Sequence, residues 1–96
     1  MLKAVEIINS NPYKIVCKFN TGEIREINLE NLILESNSLV NKEKLLDPAF
    51  FNKAAIGNFG ELFWENAAYI RDLKGEMISC EFDLSPEFVY FNSKNI

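Results

Sequence analysis

Tyr13-Lys14-Ile15-Val16-Cys17-Lys18-Phe19-Asn20-Thr21-Gly22-Glu23 is the stretch that decides the fold. Tyr13, Ile15, Cys17 and Phe19 alternate with Lys14, Val16 and Lys18, the period of a half-buried strand. Asn20-Thr21-Gly22 then reads as a hairpin loop, with Gly22 supplying the left-handed residue such loops need. Charge fixes the register of the return strand. A two-residue loop sets Lys18 opposite Arg25, whereas a three-residue loop sets Cys17 opposite Arg25, Ile15 opposite Ile27 and Tyr13 opposite Leu29. Like charges directly opposite destabilise, and apolar pairs contribute about 0.2–1 kcal/mol each, so the three-residue loop is expected.

Outward from this hairpin, residues 3–8 read as a preceding strand closed by Asn9-Ser10-Asn11-Pro12, and residues 23–28 as the return strand. Asn28 is placed to cap a short helix over 29–35, with Leu29, Leu32 and Ile33 on one face. Residues 39–46 read as a connector with Lys42, Glu43 and Lys44 exposed. Asp47-Pro48, an acidic cap followed by proline, opens a second helix through Phe50, Phe51 and Ala54. Gly57 and Gly60 bracket a turn, and residues 61–65 form a fourth strand. Residues 67–73 fit a strand or a short helix equally. Lys74-Gly75-Glu76 is a turn, residues 77–82 a fifth strand, and Ser85-Pro86-Glu87 opens a last helix over 88–91. The tail from Asn92 is expected to fray. The expected fold class is α+β: a small, mostly antiparallel sheet of about five strands with two or three short helices, in a single domain over residues 1–96.

Composition agrees with one domain. At 96 residues, with 48% apolar and 25% charged residues, the chain is ordinary for a globular protein and has room for one core. Eight Phe, three Tyr and one Trp make that core aromatic. No apolar run approaches the ~20 residues that span a bilayer, and Glu6 stands where a signal peptide needs its apolar stretch, so a cytoplasmic protein is expected. Cys17 and Cys80 lie in apolar strand settings and are expected to be packed free thiols.

The net charge of −4 is unevenly placed. Residues 1–60 hold seven acids (Glu6, Glu23, Glu26, Glu30, Glu35, Glu43, Asp47) and seven bases (Lys3, Lys14, Lys18, Arg25, Lys42, Lys44, Lys53). Residues 61–87 hold seven acids (Glu61, Glu65, Asp72, Glu76, Glu81, Asp83, Glu87) against only Arg71 and Lys74. An acidic surface repels phosphate backbones, so direct nucleic-acid binding is disfavoured and a basic protein partner is steered towards it.

The catalytic toolkit is thin. The chain has no histidine, which removes the commonest general base and zinc ligand. Glu81, Asp83 and Glu87 are the carboxylates placed for metal or acid–base work, but Glu81 and Asp83 share one side of a strand and Glu87 sits where a helix dipole favours an acid, so a solvated face explains them. Gly57-Asn58-Phe59-Gly60 lacks the Gly-Lys-Ser/Thr ending and the following helix of a phosphate loop, and reads as a plain turn. Lys18 and Arg25 are the cations nearest Cys17 in the pattern, and alternation is expected to keep them on different faces, leaving an unreactive core thiol. Of Phe63 and Trp64, adjacent strand residues point opposite ways, so one is core and the other is covered by a helix or offered to a partner. Trp64, Glu81, Asp83 and Glu87 are therefore the candidate partner-binding residues. No catalytic residue, metal ligand or cofactor is expected, and an exposed sheet edge leaves pairing of two copies open.

These residues resemble the bacterial domain of unknown function numbered 2442. The likeness rests on the hairpin over 13–23, Ile27-Asn28-Leu29, Leu46-Asp47-Pro48 with Phe50 or Phe51, the strand ending at Trp64, and Asp83-Leu84-Ser85-Pro86-Glu87 with Tyr90. It implies a small α+β protein without established enzymatic activity, in a family where some members look like antitoxin halves of toxin–antitoxin pairs and some carry an appended helix-turn-helix. Residues 67–82 match a longer subgroup and add a strand, and no helix-turn-helix follows Tyr90. The resulting expectation is a non-enzymatic protein-interaction module, an antitoxin-like partner of a small basic protein. The alternatives are a transcriptional or nucleic-acid accessory protein, and a carboxylate-based metal or small-molecule binding domain.

Overall fold

In the computed structural model, which describes all of Met1–Ile96, the hairpin takes the three-residue register. Strand β2 (Lys14–Phe19) pairs antiparallel with β3 (Ile24–Asn28), setting Cys17 opposite Arg25 and Ile15 opposite Ile27. The loop closes with Phe19 N–H donating to the Glu23 carbonyl and Gly22 N–H to the Phe19 carbonyl, both at 2.9 Å. Tyr13 meets Leu29 as expected, its carbonyl accepting the Leu29 N–H at 2.8 Å.

Strand β1 (Ala4–Asn11) runs three residues past its expected end. It is the outer strand of its sheet, where the polar Asn9-Ser10-Asn11 can face water while their backbone pairs with β2, and two register shifts accommodate the twist. The tail does not fray. β7 (Lys94–Asn95) adds to β3, giving the order β1-β2-β3-β7. Arg25 is the reason: its guanidinium donates to the Ser93 hydroxyl at 2.8 Å and to the Ser93 carbonyl at 2.9 Å.

The remaining strands form a second sheet rather than joining the first, so seven strands and four short helices replace the expected five and two or three. A two-residue β4 (Ala55–Ile56), a ten-residue β5 (Leu62–Arg71) and β6 (Met77–Leu84) pair antiparallel in that order. The ambiguous residues 67–71 thus continue β5. Two antiparallel sheets with helices between them in sequence make this an α+β fold.

Helix α1 (Glu30–Leu34) begins one residue later than expected, with the buried Leu29 at its cap position. Asn28 still contributes, its Oδ1 accepting the Glu30 N–H at 3.0 Å. The expected connector over 39–46 contains helix α2 (Lys42–Leu46), capped by Asn41 Oδ1 accepting the Lys44 N–H at 3.1 Å and anchored by the buried Leu45. In α3 (Pro48–Phe51) and α4 (Pro86–Phe91), Asp47 and Ser85 cap as their sequence promises. None of these helices is long and apolar enough to cross a membrane.

One continuous core joins both sheets and all four helices. It includes Ile15, Cys17 and Phe19 of β2, Ile27 of β3, Ile33, Leu45, Phe51 and Val89 from the helices, and Leu62, Trp64 and Leu84 from the second sheet. Burial of each large side chain contributes about 1.5–3 kcal/mol. Gly60 locks the sheets together: its carbonyl accepts the Ala4 N–H at 3.1 Å, and a Cβ there would lie 2.6 Å from the Lys3 Cα.

Candidate protein interface on the second sheet

Pairing across β5 and β6 sorts their side chains into two faces. Leu62 lies opposite Leu84 and Trp64 opposite Phe82, on the side of the core. Phe63 lies opposite Asp83, so both point to the other side, and Glu81, two residues along β6, joins them.

This corrects the assignment of Trp64 as a partner-binding residue. Trp64 is 1% exposed, its indole N–H donates to the Phe51 carbonyl at 2.8 Å, and its ring packs between Phe51 and Phe82 at centroid distances of 5.7 and 5.8 Å. A buried indole with a satisfied N–H is core. The half-buried aromatic on the outer face is Phe63, which lines one cleft with Phe50 and another with Phe59 and Glu81. Alternation in the sequence shows that the pair splits, but not which member faces out.

Glu81 and Asp83 are exposed, and neither forms a hydrogen bond or an ion pair with another side chain. Glu87 is also exposed, on the second residue of α4, and lines neither of the Phe63 clefts. The three acids do not converge: no group of three or more Asp, Glu or Cys side chains is placed to hold a metal ion. What the face offers is an apolar ring beside two solvated carboxylates.

On the other flank of Phe63 lies a cleft of about 300 Å3 lined by Lys44, Phe50, Lys53, Ala55, Phe63, Glu65 and Asn66. It exists because β5 bulges. Between the Trp64–Phe82 and Ala68–Cys80 pairs, β5 advances by two residues more than β6, with Asn66 at φ 57°. The Lys44 ammonium donates to the Asn66 carbonyl at 3.1 Å and the Asn41 N–H to the Ala67 carbonyl at 2.9 Å, so α2 holds the bulge open.

Past the bulge, the β5–β6 hairpin exposes Ile70, Leu73, Met77 and Ile78. Residues 77–82 form the expected strand, and its distal part, with Met77, Ile78 and Ser79 all exposed, leaves both sides in water.

The perturbed ionisable groups lie elsewhere and serve packing. Burial pushes the Cys17 thiol up to about 11, against an opposing pull from Arg25. Arg25 is directly across the ladder from Cys17 and shares its face, contrary to the separation expected from alternation, because cross-strand partners point the same way. The thiol nonetheless stays protonated at neutral pH. Cys80 is free and half-buried rather than fully packed. At the C-terminal helix, the Tyr90 hydroxyl donates to Glu23 Oε1 at 2.6 Å, Arg25 donates to Glu23 Oε2 at 2.7 Å, and the guanidinium lies 4.2 Å from the Tyr90 ring centroid. The tyrosine and arginine hydrogen bonds lower the Glu23 carboxyl below its usual range, and the carboxylate raises the Tyr90 phenol. The cluster ties α4 and β7 to β3.

Comparison with protein-family models, with curated proteins and with solved structures finds no match for this chain.

Proposed function

We propose that the chain is a non-catalytic protein-interaction module that binds a small basic protein through the outer face of β5 and β6. The observation that carries this reading is Phe63, a half-buried aromatic beside two carboxylates, Glu81 and Asp83, that have no partner within the chain. An aromatic anchor next to unpaired charge is the composition of an interface hot spot. The acid excess over 61–87 supplies the long-range attraction that steers a basic partner. Support for a non-catalytic role comes from the ionisable groups: those whose protonation is shifted, Cys17, Glu23 and Tyr90, are engaged in packing and in tying the C-terminal helix to the sheet. The resemblance to domain family 2442 gives the reading its antitoxin-like form.

Co-expression with the product of the neighbouring small gene tests it. The expected result is co-purification that weakens as salt rises, since charges near the surface are screened within about 10 Å at 0.1 M salt. Failure to co-purify at low salt would remove the proposal.

A further inference from the structure

We propose that the cleft beside the β5 bulge is a binding site for a small aromatic carboxylate. Two ammonium groups meet there over one ring: Lys44 Nζ lies 5.6 Å and Lys53 Nζ 5.8 Å from the Phe50 centroid. Such distances are within the range at which a ring face attracts a cation, which draws both exposed ammonium groups towards the cleft, and Lys44 is further held by its bond to the Asn66 carbonyl. Neither is neutralised. The ion pairs of this chain are Arg25–Glu23 and Lys94–Glu26, although Glu65 lines the same cleft as the two lysines.

The lining carries two positive charges and one negative, from Glu65, which leaves a single positive charge to be matched. That favours a monoanion over a dianion or a cation. Phe50 and Phe63 supply two aromatic walls, and a volume of about 300 Å3 reaches the lower end of ordinary ligand pockets. Aromatic rings stack offset or edge-on against such walls. The site is also preorganised, because Lys44 is tethered to the Asn66 carbonyl and the bulge is fixed by α2. A flat apolar body bearing one carboxylate matches the two aromatic walls and the single excess positive charge of this lining, with Glu65 opposing it. The site shares Phe63 with the proposed protein interface but uses the opposite sign of charge, and does not depend on that reading.

The probe is 2-naphthoate, titrated into the 15N-labelled full chain and followed by backbone amide shifts, with 2-naphthamide and acetate as controls. The expected result is saturable shifts at Lys53, Phe63 and Asn66, binding of the neutral amide about tenfold weaker, and no saturable response to acetate. Lys53→Met, which removes no hydrogen bond of the fold, is expected to weaken naphthoate about tenfold with an unchanged melting temperature, and Glu65→Gln to tighten it. Glu81→Gln with Asp83→Asn strips the acids from the interface and is expected to leave naphthoate binding intact, so the two proposals fail separately. Equal binding of the amide, shifts centred elsewhere, indifference to Lys53→Met, or no saturable shift with naphthoate each overturn the site.

Discussion

Replacing Trp64 by Phe tests the placement of the indole in the core and its exclusion from the interface. The substitution removes the N–H that donates to the Phe51 carbonyl and the outer part of a ring lodged between Phe51 and Phe82. The lost hydrogen bond is worth about 1 kcal/mol. Two ring carbons fewer in a buried site cost about 0.8 kcal/mol each, for a total of about 2.5 kcal/mol. For a domain of this size 1 kcal/mol moves the melting temperature by about 4–8 °C, so a fall of about 10–20 °C is expected. Urea unfolding followed by far-ultraviolet circular dichroism reads the free energy without relying on the missing tryptophan, and an unchanged m-value shows that the folded state has kept its compactness. A loss below about 0.5 kcal/mol, the range of ordinary surface substitutions, would refute the core assignment.

Three further outcomes are expected. Gly60→Ala places a Cβ 2.6 Å from the Lys3 Cα at a φ of 79° and should cost at least about 2 kcal/mol, whereas Gly22→Ala, with no atom within 4 Å, should cost about 1 kcal/mol; similar midpoints in urea would contradict this. Because the Cys17 thiol titrates at about 11 when folded and at 9.0 when not, its contribution is complete below pH 9 and declines towards pH 11 by about 2–3 kcal/mol. Cys17→Val should remove that part of the alkaline slope, and an identical slope would show that the thiol is not the cause. Tyr90→Phe deletes the hydroxyl that donates to Glu23, so the Glu23 carboxyl should move back up towards its ordinary value. A depressed carboxyl stabilises above its unfolded pKa and loses that stabilisation as pH falls through its folded value, so the acid limb of stability should flatten. Carbon-detected titration of Glu23 checks it, and an unmoved carboxyl would contradict it.

Elements whose signals are local are legible in the sequence. The β2–β3 register follows from one unfavourable charge pair, and the caps at Asp47 and Ser85 from an acceptor side chain followed by proline. Elements fixed from a distance are not. β7 forms because Arg25, some seventy residues earlier, holds Ser93. α2 is a single capped turn whose one buried anchor, Leu45, carries too little periodicity to show. The split into two sheets depends on which strands pair, a choice made by packing rather than by propensity. The acids of the candidate interface are visible as a charge excess, and alternation puts Glu81 and Asp83 together. Which aromatic joins them depends on which face of β5 meets the core, and that follows from α3 covering Trp64. The lysine-lined cleft is invisible in sequence, because Lys44, Lys53 and Asn66 are brought together only by the bulge and by the helix that props it.

The most direct measurement is calorimetric titration of the chain with the product of the neighbouring small gene, repeated for Phe63→Ala and at raised salt. Binding that weakens with salt, falls about tenfold or more for Phe63→Ala, and is unchanged for folded Trp64→Phe is the predicted result. Binding indifferent to Phe63→Ala and to salt, or no heat of binding at low salt, would contradict the account.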